Sequence, residues 1–162
     1  MSDSENFDRL RELQFFQGID ETYLRELAGL SRQREFPART KVFEEYERAK
    51  EVYFIVEGAI SLAICGVSGC RQITVVGRGD LMGWSPLIGR ARLFDTARTT
   101  TPVKALMFDG DELVKFCKAH ADFGFEFMRR AACVLGERLS DTRRQLLEMG
   151  GIHLPEFQLE SD

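Results

Sequence analysis

Residues 77–101 combine a glycine-rich turn, a short helical segment and four arginines, a set of features suited to binding an anion. Ser85 is a good N-cap and Pro86 suits the first helical position, so we predict that a short helix begins there. The free backbone N–H groups at its N-terminus would favour a negative charge. The downstream arginines could add charge-assisted hydrogen bonds to a phosphate, and they are Arg90, Arg92 and Arg98. The alternative is a polar connection between strands that carries surface arginines.

The residue types that catalyse reactions or bind metals form no recognisable constellation in this sequence. The two histidines, His120 and His153, show no H-E-x-x-H or H-x-H pattern, and no Ser-His-Asp arrangement is evident. We therefore predict a protein that is not an enzyme and has no metal site. The four cysteines lack C-x-x-C spacing, and we interpret them as reduced thiols: Cys65, Cys70, Cys117 and Cys133. Cys65 and Cys70 flank a predicted hairpin turn, so a disulfide between them is the alternative.

Composition and charge limit the class of protein. The chain has 162 residues, 44% of them hydrophobic, which is enough for one domain with a core. Its net charge is −4, whereas a nucleic-acid-binding domain is typically basic, so we predict no direct contact with nucleic acid. The sequence contains no apolar run of membrane-spanning length and begins with a polar, acidic segment rather than a signal peptide. We expect a cytoplasmic protein without a membrane partner.

The hydrophobic pattern predicts helices at both ends and strands between them. Apolar residues at helical spacing predict one helix over 5–16, stopped by Gly18, and Asp20 caps a second helix that runs through Leu30. From residue 31 onward, short apolar strands alternate with turns, as at 52–56 and 59–64. This spacing predicts a mainly β fold with flanking helices, an antiparallel sandwich or jelly roll.

The last third of the chain is predicted to be helical. Asp109 and Glu112 form a capping pattern before one helix, and a long helix follows over 122–149. Along it, apolar residues keep an unbroken heptad spacing over roughly 36 Å. We call these positions the seam of the long helix, and they are Phe125, Met128, Ala132, Leu135, Leu139, Thr142, Leu146 and Met149, with Thr142 the one polar member. A second apolar face, at Phe123, Phe127, Ala131 and Val134, could pack on the β-roll. The seam then needs a partner helix, and a homodimer supplies one most simply.

The order of these pieces resembles a known family. They are Y-F-I-V-E-G-A-I-S-L, G-R-G-D-L-M-G, T-A-R-T-T-T-P-V-K-A-L-M-F-D and E-R-L-S-D-T-R-R-Q-L-L-E. Together they are similar to a cyclic nucleotide-binding domain of the Crp/Fnr type over residues 7–149. The resemblance implies a double-stranded β-helix (jelly-roll) fold, a phosphate-binding cassette and a C-terminal dimerisation helix. We expect residues 1–6 to form a disordered N-terminus and residues 150–162 to form a tail. We do not expect the family's helix-turn-helix domain. A piece cut from a longer regulator is the alternative.

The cassette departs from the family pattern at two charged contacts. The family places a glutamate after the second glycine to accept the ribose hydroxyl, and here Gly83 is followed by Trp84 and Ser85. The resemblance places the phosphate-binding arginine three residues before Thr96, which is Leu93, and Arg92 is one residue out of register. Trp84 could fill the sugar space, stack on a flat ligand, or plug an empty pocket as a core aromatic.

The dimer helix offers one further contact by resemblance. In the family, polar residues in the middle of this helix reach the purine base, and the matching positions are Thr142 and Arg143. The alternative role for Thr142 is to set the register of the paired helices. We therefore expect a non-catalytic, homodimeric sensor or regulatory module with a degenerate cassette. Its ligand would be cAMP, cGMP or another anionic small molecule. The alternatives are an interaction module for an unidentified protein partner, with no ligand, and the sensor half of a Crp/Fnr-type transcription regulator.

Overall fold

The structure of the protein is a computed structural model that describes residues 3–151. It contains helices α1 Asp3–Glu12, α2 Glu21–Leu30, α3 Gly110–Ala119 and α4 Ala121–Met149, with 3-10 turns at Gln14–Phe16 and Ser85–Ile88. Its strands are β1 Arg32–Phe36, β2 Lys41–Phe43, β3 Glu51–Glu57, β4 Ile60–Gly66, β5 Gly69–Val76, β6 Leu81–Met82, β7 Thr96–Thr99 and β8 Val103–Asp109. The predicted tail beyond residue 151, including His153, lies outside the described residues.

The strands form two antiparallel four-stranded sheets, which confirms the predicted jelly roll. One sheet has the order β1-β8-β3-β6 and the other has the order β2-β7-β4-β5. The sheets enclose one apolar cluster, which includes Tyr53, Ile55, Ile60 and Met107. Strand β3 also has buried residues on its other face, because its five central residues are all buried. It is therefore covered on both sides, which explains why it reads as an unbroken apolar run.

The helices cover the other face of the first sheet and form a second, aromatic core. Phe127 of α4 packs against Phe15 and Phe54, with ring centroids 5.2 and 6.3 Å apart. Phe123 and Ala131 are buried on the same face of α4, and Val134 packs against this core. The predicted second apolar face of the long helix is therefore confirmed. It attaches the first half of α4 to the roll and leaves the second half projecting with the narrower seam.

The N-terminal region differs from the sequence-based expectation. We expected residues 1–6 to be disordered and one helix over 5–16, but α1 begins at Asp3 and ends at Glu12. The Asn6 side chain is buried, donates to the carbonyl of Ser31 at 3.3 Å and accepts from the Gln33 amide at 2.9 Å. These tertiary hydrogen bonds attach the start of α1, which we expected to be disordered, to the rest of the fold. A separate 3-10 turn then directs Phe15 and Phe16 into the aromatic core.

The predicted helix boundaries elsewhere agree with the structure. The carboxylate of Asp20 caps α2 by accepting from the N–H of Thr22 at 2.8 Å. The carboxylate of Asp109 caps α3 in the same way, accepting from the N–H of Glu112 at 3.0 Å. Helix α4 begins at Ala121 and ends at Met149, as the heptad pattern predicted. Local capping chemistry was thus sufficient to place these ends.

The prediction that all four cysteines are reduced was wrong. Cys65 and Cys70 form a disulfide with an S–S distance of 2.03 Å, whereas Cys117 and Cys133 are free thiols. The two bonded residues are register partners on β4 and β5, and their Cα atoms lie 4.0 Å apart. The close approach comes from the antiparallel pairing. The prediction relied on the expected cytoplasmic compartment, and a compartment does not determine how close two cysteines lie in the fold.

Candidate functional site

The cassette begins where β6 pairs with β3 and the chain turns sharply at Gly83. Met82 lies opposite Tyr53, and Gly83 follows with φ of +69°. A Cβ atom at Gly83 would lie 2.9 Å from the carbonyl oxygen of Glu51, so both the backbone conformation and the space require glycine here. This turn therefore holds the segment after β6 close against the start of β3.

The short helix of the cassette differs from the prediction in both its cap and its type. Residues Ser85–Ile88 form a single 3-10 turn, and Gly89 ends it in the left-handed conformation. Ser85 is the first helical residue rather than the N-cap, and the preceding residue, Trp84, makes no side-chain capping bond. Because Ser85 is buried under the loop, its hydroxyl does not take the predicted capping role. The anion seat that we predicted at the start of this turn stays a prediction.

Trp84 packs against the chain itself. Its indole ring stacks on the ring of Phe94, with centroids 4.7 Å apart and an interplanar angle of 27°. The other side of Trp84 is partly buried against the aromatic core that the helices form. Phe94 therefore occupies one face of Trp84, the face that a flat ligand would otherwise use.

Two loop segments cross beside the cassette and decide where Arg92 and Leu93 lie. The N–H of Tyr46 donates to the carbonyl of Leu93 at 2.9 Å, and the N–H of Leu93 donates to the carbonyl of Glu47 at 3.0 Å. Leu93 is consequently buried in the core between the sheets, and the neighbouring Arg92 is exposed. The guanidinium of Arg92 donates to the carbonyl of Tyr46 at 3.2 Å. Leu93 lines a small cavity together with Phe43, Glu51 and Tyr53, the residues nearest to Gly83, whereas the Arg92 guanidinium is turned to the Tyr46 carbonyl.

Sequence reasoning missed two acidic residues near the cassette, of which Glu45 is buried and Asp95 is half-buried. Glu45 is buried, and its carboxylate accepts from the N–H of Cys65, while its own N–H donates to the hydroxyl of Thr96 at 3.2 Å. Burial raises the pKa of the neighbouring Asp95, and the nearby carboxylate of Glu45 raises it further. The sequence showed Glu45 only as part of a charged connection, and no sequence signal identifies which carboxylate of that run turns inward.

Arg138 of α4 lies near the carboxylate of Asp95. It lowers the pKa of Asp95, although burial has the larger effect. One Arg138 Nη donates to the carbonyl of Leu81 on β6 at 3.5 Å. Its Nε is buried and has no hydrogen-bond partner within residues 3–151. We call Glu45, Asp95 and Arg138 the cassette charge cluster, since they connect the cassette strand with the long helix.

The polar residues that were predicted to contact a base lie on the surface of α4. The hydroxyl of Thr142 donates to the carbonyl of Arg138, one turn earlier, at 2.9 Å, and both Thr142 and Arg143 are exposed. The seam around them is unequally covered. Met128 and Leu135 are half-buried and Ala132 is exposed, while the large exposed seam residues are Phe125, Leu139, Leu146 and Met149. The second half of α4 therefore presents an apolar stripe to solvent in the single chain.

A cavity of about 490 Å³ lies beside the short helix. It is lined by Pro86 and Gly89, by Lys50 before β3, and by Asp109 and Asp111 at the start of α3, among others. None of the six predicted cassette residues lines it: Gly83, Trp84, Ser85, Arg92, Leu93 and Thr96.

Within residues 3–151, no group of three or more His, Cys, Asp or Glu side chains is placed to hold a metal ion. In the same part of the chain, none of the helices has the length and apolar character that crossing a membrane requires.

Comparison with known proteins identifies the family. The family profile described as "Cyclic nucleotide-binding domain" matches residues 33–120, more than half of the chain. The chain belongs to the cyclic nucleotide-binding domain family. A curated relative, the CRP-like cAMP-activated global transcriptional regulator of Mycobacterium tuberculosis, is 24% identical over 135 residues. That match covers 83% of this chain and 58% of the relative, so the chain spans little more than half the length of that regulator.

Solved structures of the cyclic nucleotide-binding family share this fold. A candidate cyclic nucleotide-binding protein from Geobacter metallireducens has a TM-score of 0.71 at 26% identity, covering 82% of this chain and 96% of its own. A cyclic nucleotide-binding domain from Methylobacillus flagellatus has a TM-score of 0.75 at 16% identity, covering 96% and 86%. The family is regulatory rather than catalytic, and the Crp-like relative supports a sensor or regulatory module.

Proposed function

We propose that this protein is a homodimeric regulatory module of the cyclic nucleotide-binding fold whose cassette is degenerate and does not hold a cyclic nucleotide. The observation that carries this proposal is the cassette charge cluster. Two carboxylates lie beside the cassette, the buried Glu45 and the half-buried Asp95, and the guanidinium of Arg92 is directed to the Tyr46 carbonyl instead.

The free-energy argument follows from the sign of these charges. A charge-assisted hydrogen bond from arginine to a phosphate would contribute about 1.5–3 kcal/mol. A buried carboxylate in the same region has the opposite effect, since like charges repel strongly where water is excluded. The Trp84–Phe94 stack further supports a closed cassette, because each ring covers the other. The buried carboxylate of Glu45 and the Trp84–Phe94 stack are thus the two features that support a cassette without a cyclic nucleotide.

The second half of α4 supports the homodimer. Leu139 is 60% exposed and Leu146 is 67% exposed in the single chain, on a helix that keeps a heptad spacing. Pairing two copies of this helix about a two-fold axis would cover the same stripe on both chains. The cassette charge cluster would then transmit a change in the roll to the dimer interface, because Arg138 lies on α4 and bonds to Leu81 on β6.

Titration of the purified chain with cAMP and cGMP tests the ligand half of this proposal. Calorimetry and Trp84 fluorescence should both show no saturable binding by the wild-type chain, and Trp84 is the only tryptophan. Asp95→Asn, which removes a negative charge at nearly constant volume, should raise nucleotide affinity by about tenfold or more, since one unit charge a few ångströms away contributes on the order of 1–3 kcal/mol. The matched control is Asp122→Asn, at an exposed carboxylate in the first turn of α4.

The outcomes distinguish a degenerate cassette from one that binds a cyclic nucleotide. Saturable binding of either nucleotide by the wild-type chain, with a change in Trp84 fluorescence, would overturn the degenerate cassette and establish a cyclic nucleotide sensor. An equal response to Asp95→Asn and Asp122→Asn would show that the charge of Asp95 is not what excludes the nucleotide. Light scattering of the same samples tests the homodimer, and a chain that stays monomeric at high concentration would overturn that half.

A further inference from the structure

The disulfide lies at the exposed end of the β4–β5 hairpin. Cys65 pairs with Cys70 and Gly66 pairs with Gly69, and a two-residue turn joins them. Cys70 is exposed, so a small thiol in solution can approach its sulfur directly. Because the hairpin pairing itself already closes this short loop, breaking the S–S bond would act on the hairpin end rather than on the whole fold.

The hairpin end is mechanically separate from the rest of its sheet. The register shifts between Leu62 and Ala63, so that Leu62 pairs with Thr74 and Ala63 pairs with Gln72, and Ile73 is left without a partner. Such a bulge interrupts the ladder locally. Beyond it, only four residue pairs remain, and the last is a pair of glycines, which hold a strand weakly. The disulfide is therefore the strongest constraint on this end of the hairpin.

Two contacts connect the hairpin end with the functional parts of the molecule. The Nε of Arg71, next to Cys70, donates to the side-chain oxygen of Gln145 on α4 at 3.1 Å. The N–H of Cys65 donates to the buried carboxylate of Glu45 in the cassette charge cluster. One contact lies between the exposed seam residues Leu139 and Leu146, and the other lies beside the cassette. A change in the oxidation state of Cys65 and Cys70 can therefore be transmitted to α4 and to the cassette.

We propose that Cys65 and Cys70 form a reversible thiol–disulfide exchange site for low-molecular-weight thiols, and that their oxidation state sets the contact between the β4–β5 hairpin and α4. The exchange site stands independently, whereas a consequence for the dimer rests on the function proposed above. The reduction is balanced by two thiols. A thiolate attacks the exposed Cys70 sulfur, the Cys65–Cys70 bond breaks, and Cys65 leaves as a thiolate that takes a proton.

A second thiolate then attacks the external sulfur of the mixed disulfide. This step releases the oxidised small-molecule disulfide and leaves Cys70 as a thiolate, so two electrons pass from two thiols to the protein pair. The reverse reaction uses the oxidised small-molecule disulfide as the oxidant. The other two cysteines are free thiols that differ in exposure. Cys117 is buried, and burial raises the pKa of its thiol to about 11, while Cys133 is exposed on α4 and serves as a control.

The test equilibrates the full chain in buffers of reduced and oxidised glutathione. Alkylation and mass spectrometry follow the four cysteines, and hydrogen exchange follows residues 65–72 and 139–149. We expect Cys65 and Cys70 to titrate together and reversibly. Reduction should speed exchange in both segments by about five- to tenfold, as the loss of one hydrogen bond would give. The double variant Cys65→Ser/Cys70→Ser should exchange like the reduced wild type, and Cys133→Ser should keep the full response.

A further variant separates the site from its coupling to the helix. Arg71→Ala should leave the glutathione titration of the cysteine pair unchanged and abolish the response of residues 139–149. The proposal is overturned if the pair does not re-form its disulfide, or if exchange in 139–149 is the same in both states. A chain that is monomeric in both states but keeps the redox response of α4 would refute the homodimer and support the switch.

Discussion

Leu146→Ala is the sharpest test of the seam of the long helix as a dimer interface. The substitution removes three carbon groups from a side chain that is 67% exposed in the single chain. Full burial of each carbon group contributes about 0.8 kcal/mol, so the exposed two-thirds corresponds to about 1.6 kcal/mol per chain. A two-fold interface loses this twice, or about 3 kcal/mol per dimer, which weakens the dimer Kd roughly 200-fold.

Sedimentation equilibrium of the full chain measures this Kd directly. The matched control is Val67→Ala, because Val67 is a fully exposed apolar residue on the β4–β5 turn and lies away from the seam. The control should leave Kd unchanged. Circular dichroism should show the same helix content in Leu146→Ala as in the wild type, since the residue supports no contact in the core. An unchanged Kd for Leu146→Ala, or an equal loss in the control, would refute the seam as the interface.

Two further predictions concern stability. Phe127→Ala should lower the free energy of unfolding by about 3–5 kcal/mol in urea titrations, because Phe127 is fully buried among aromatic rings; a loss below about 1 kcal/mol would contradict the assigned core. Asp95→Asn should stabilise the protein at pH 7, because burial raises the pKa of this carboxyl and its ionised form opposes folding. The gain should shrink as the pH falls through the folded-state pKa and vanish below the unfolded value of about 3.9, and a gain that grew towards acid in pH-dependent thermal unfolding would contradict this sign.

The sequence predicted the architecture because the signals involved are local. The alternation of apolar residues and turns indicated the jelly roll, and the two sheets confirm it. Capping at Asp20 and Asp109 and the heptad spacing of α4 placed helix ends within a residue or so. Each of these features depends on neighbours within about one turn of helix or one strand pair, and short-range chemistry of this kind is visible in a single sequence.

The cassette could be predicted only in part, because its side chains are placed by distant segments. Gly83 was assigned correctly to a turn, since a left-handed backbone favours glycine. The orientation of Arg92 and Leu93 depends on hydrogen bonds to Tyr46 and Glu47, more than 40 residues earlier in the chain. A pattern read along one strand cannot show which of two neighbouring residues the crossing segment turns inward.

By itself, the sequence determined the elements, their order, the two faces of α4 and the family of the fold. These follow from hydrophobic periodicity and capping, which act over a few residues. Only the tertiary structure decided that Asn6 bonds to Ser31, that Cys65 meets Cys70, and that the buried Glu45 lies near Asp95 and Arg138. The physical reason is the same in each case. Burial and charge pairing depend on which segments approach each other in space, and that approach is a property of the packed chain as a whole.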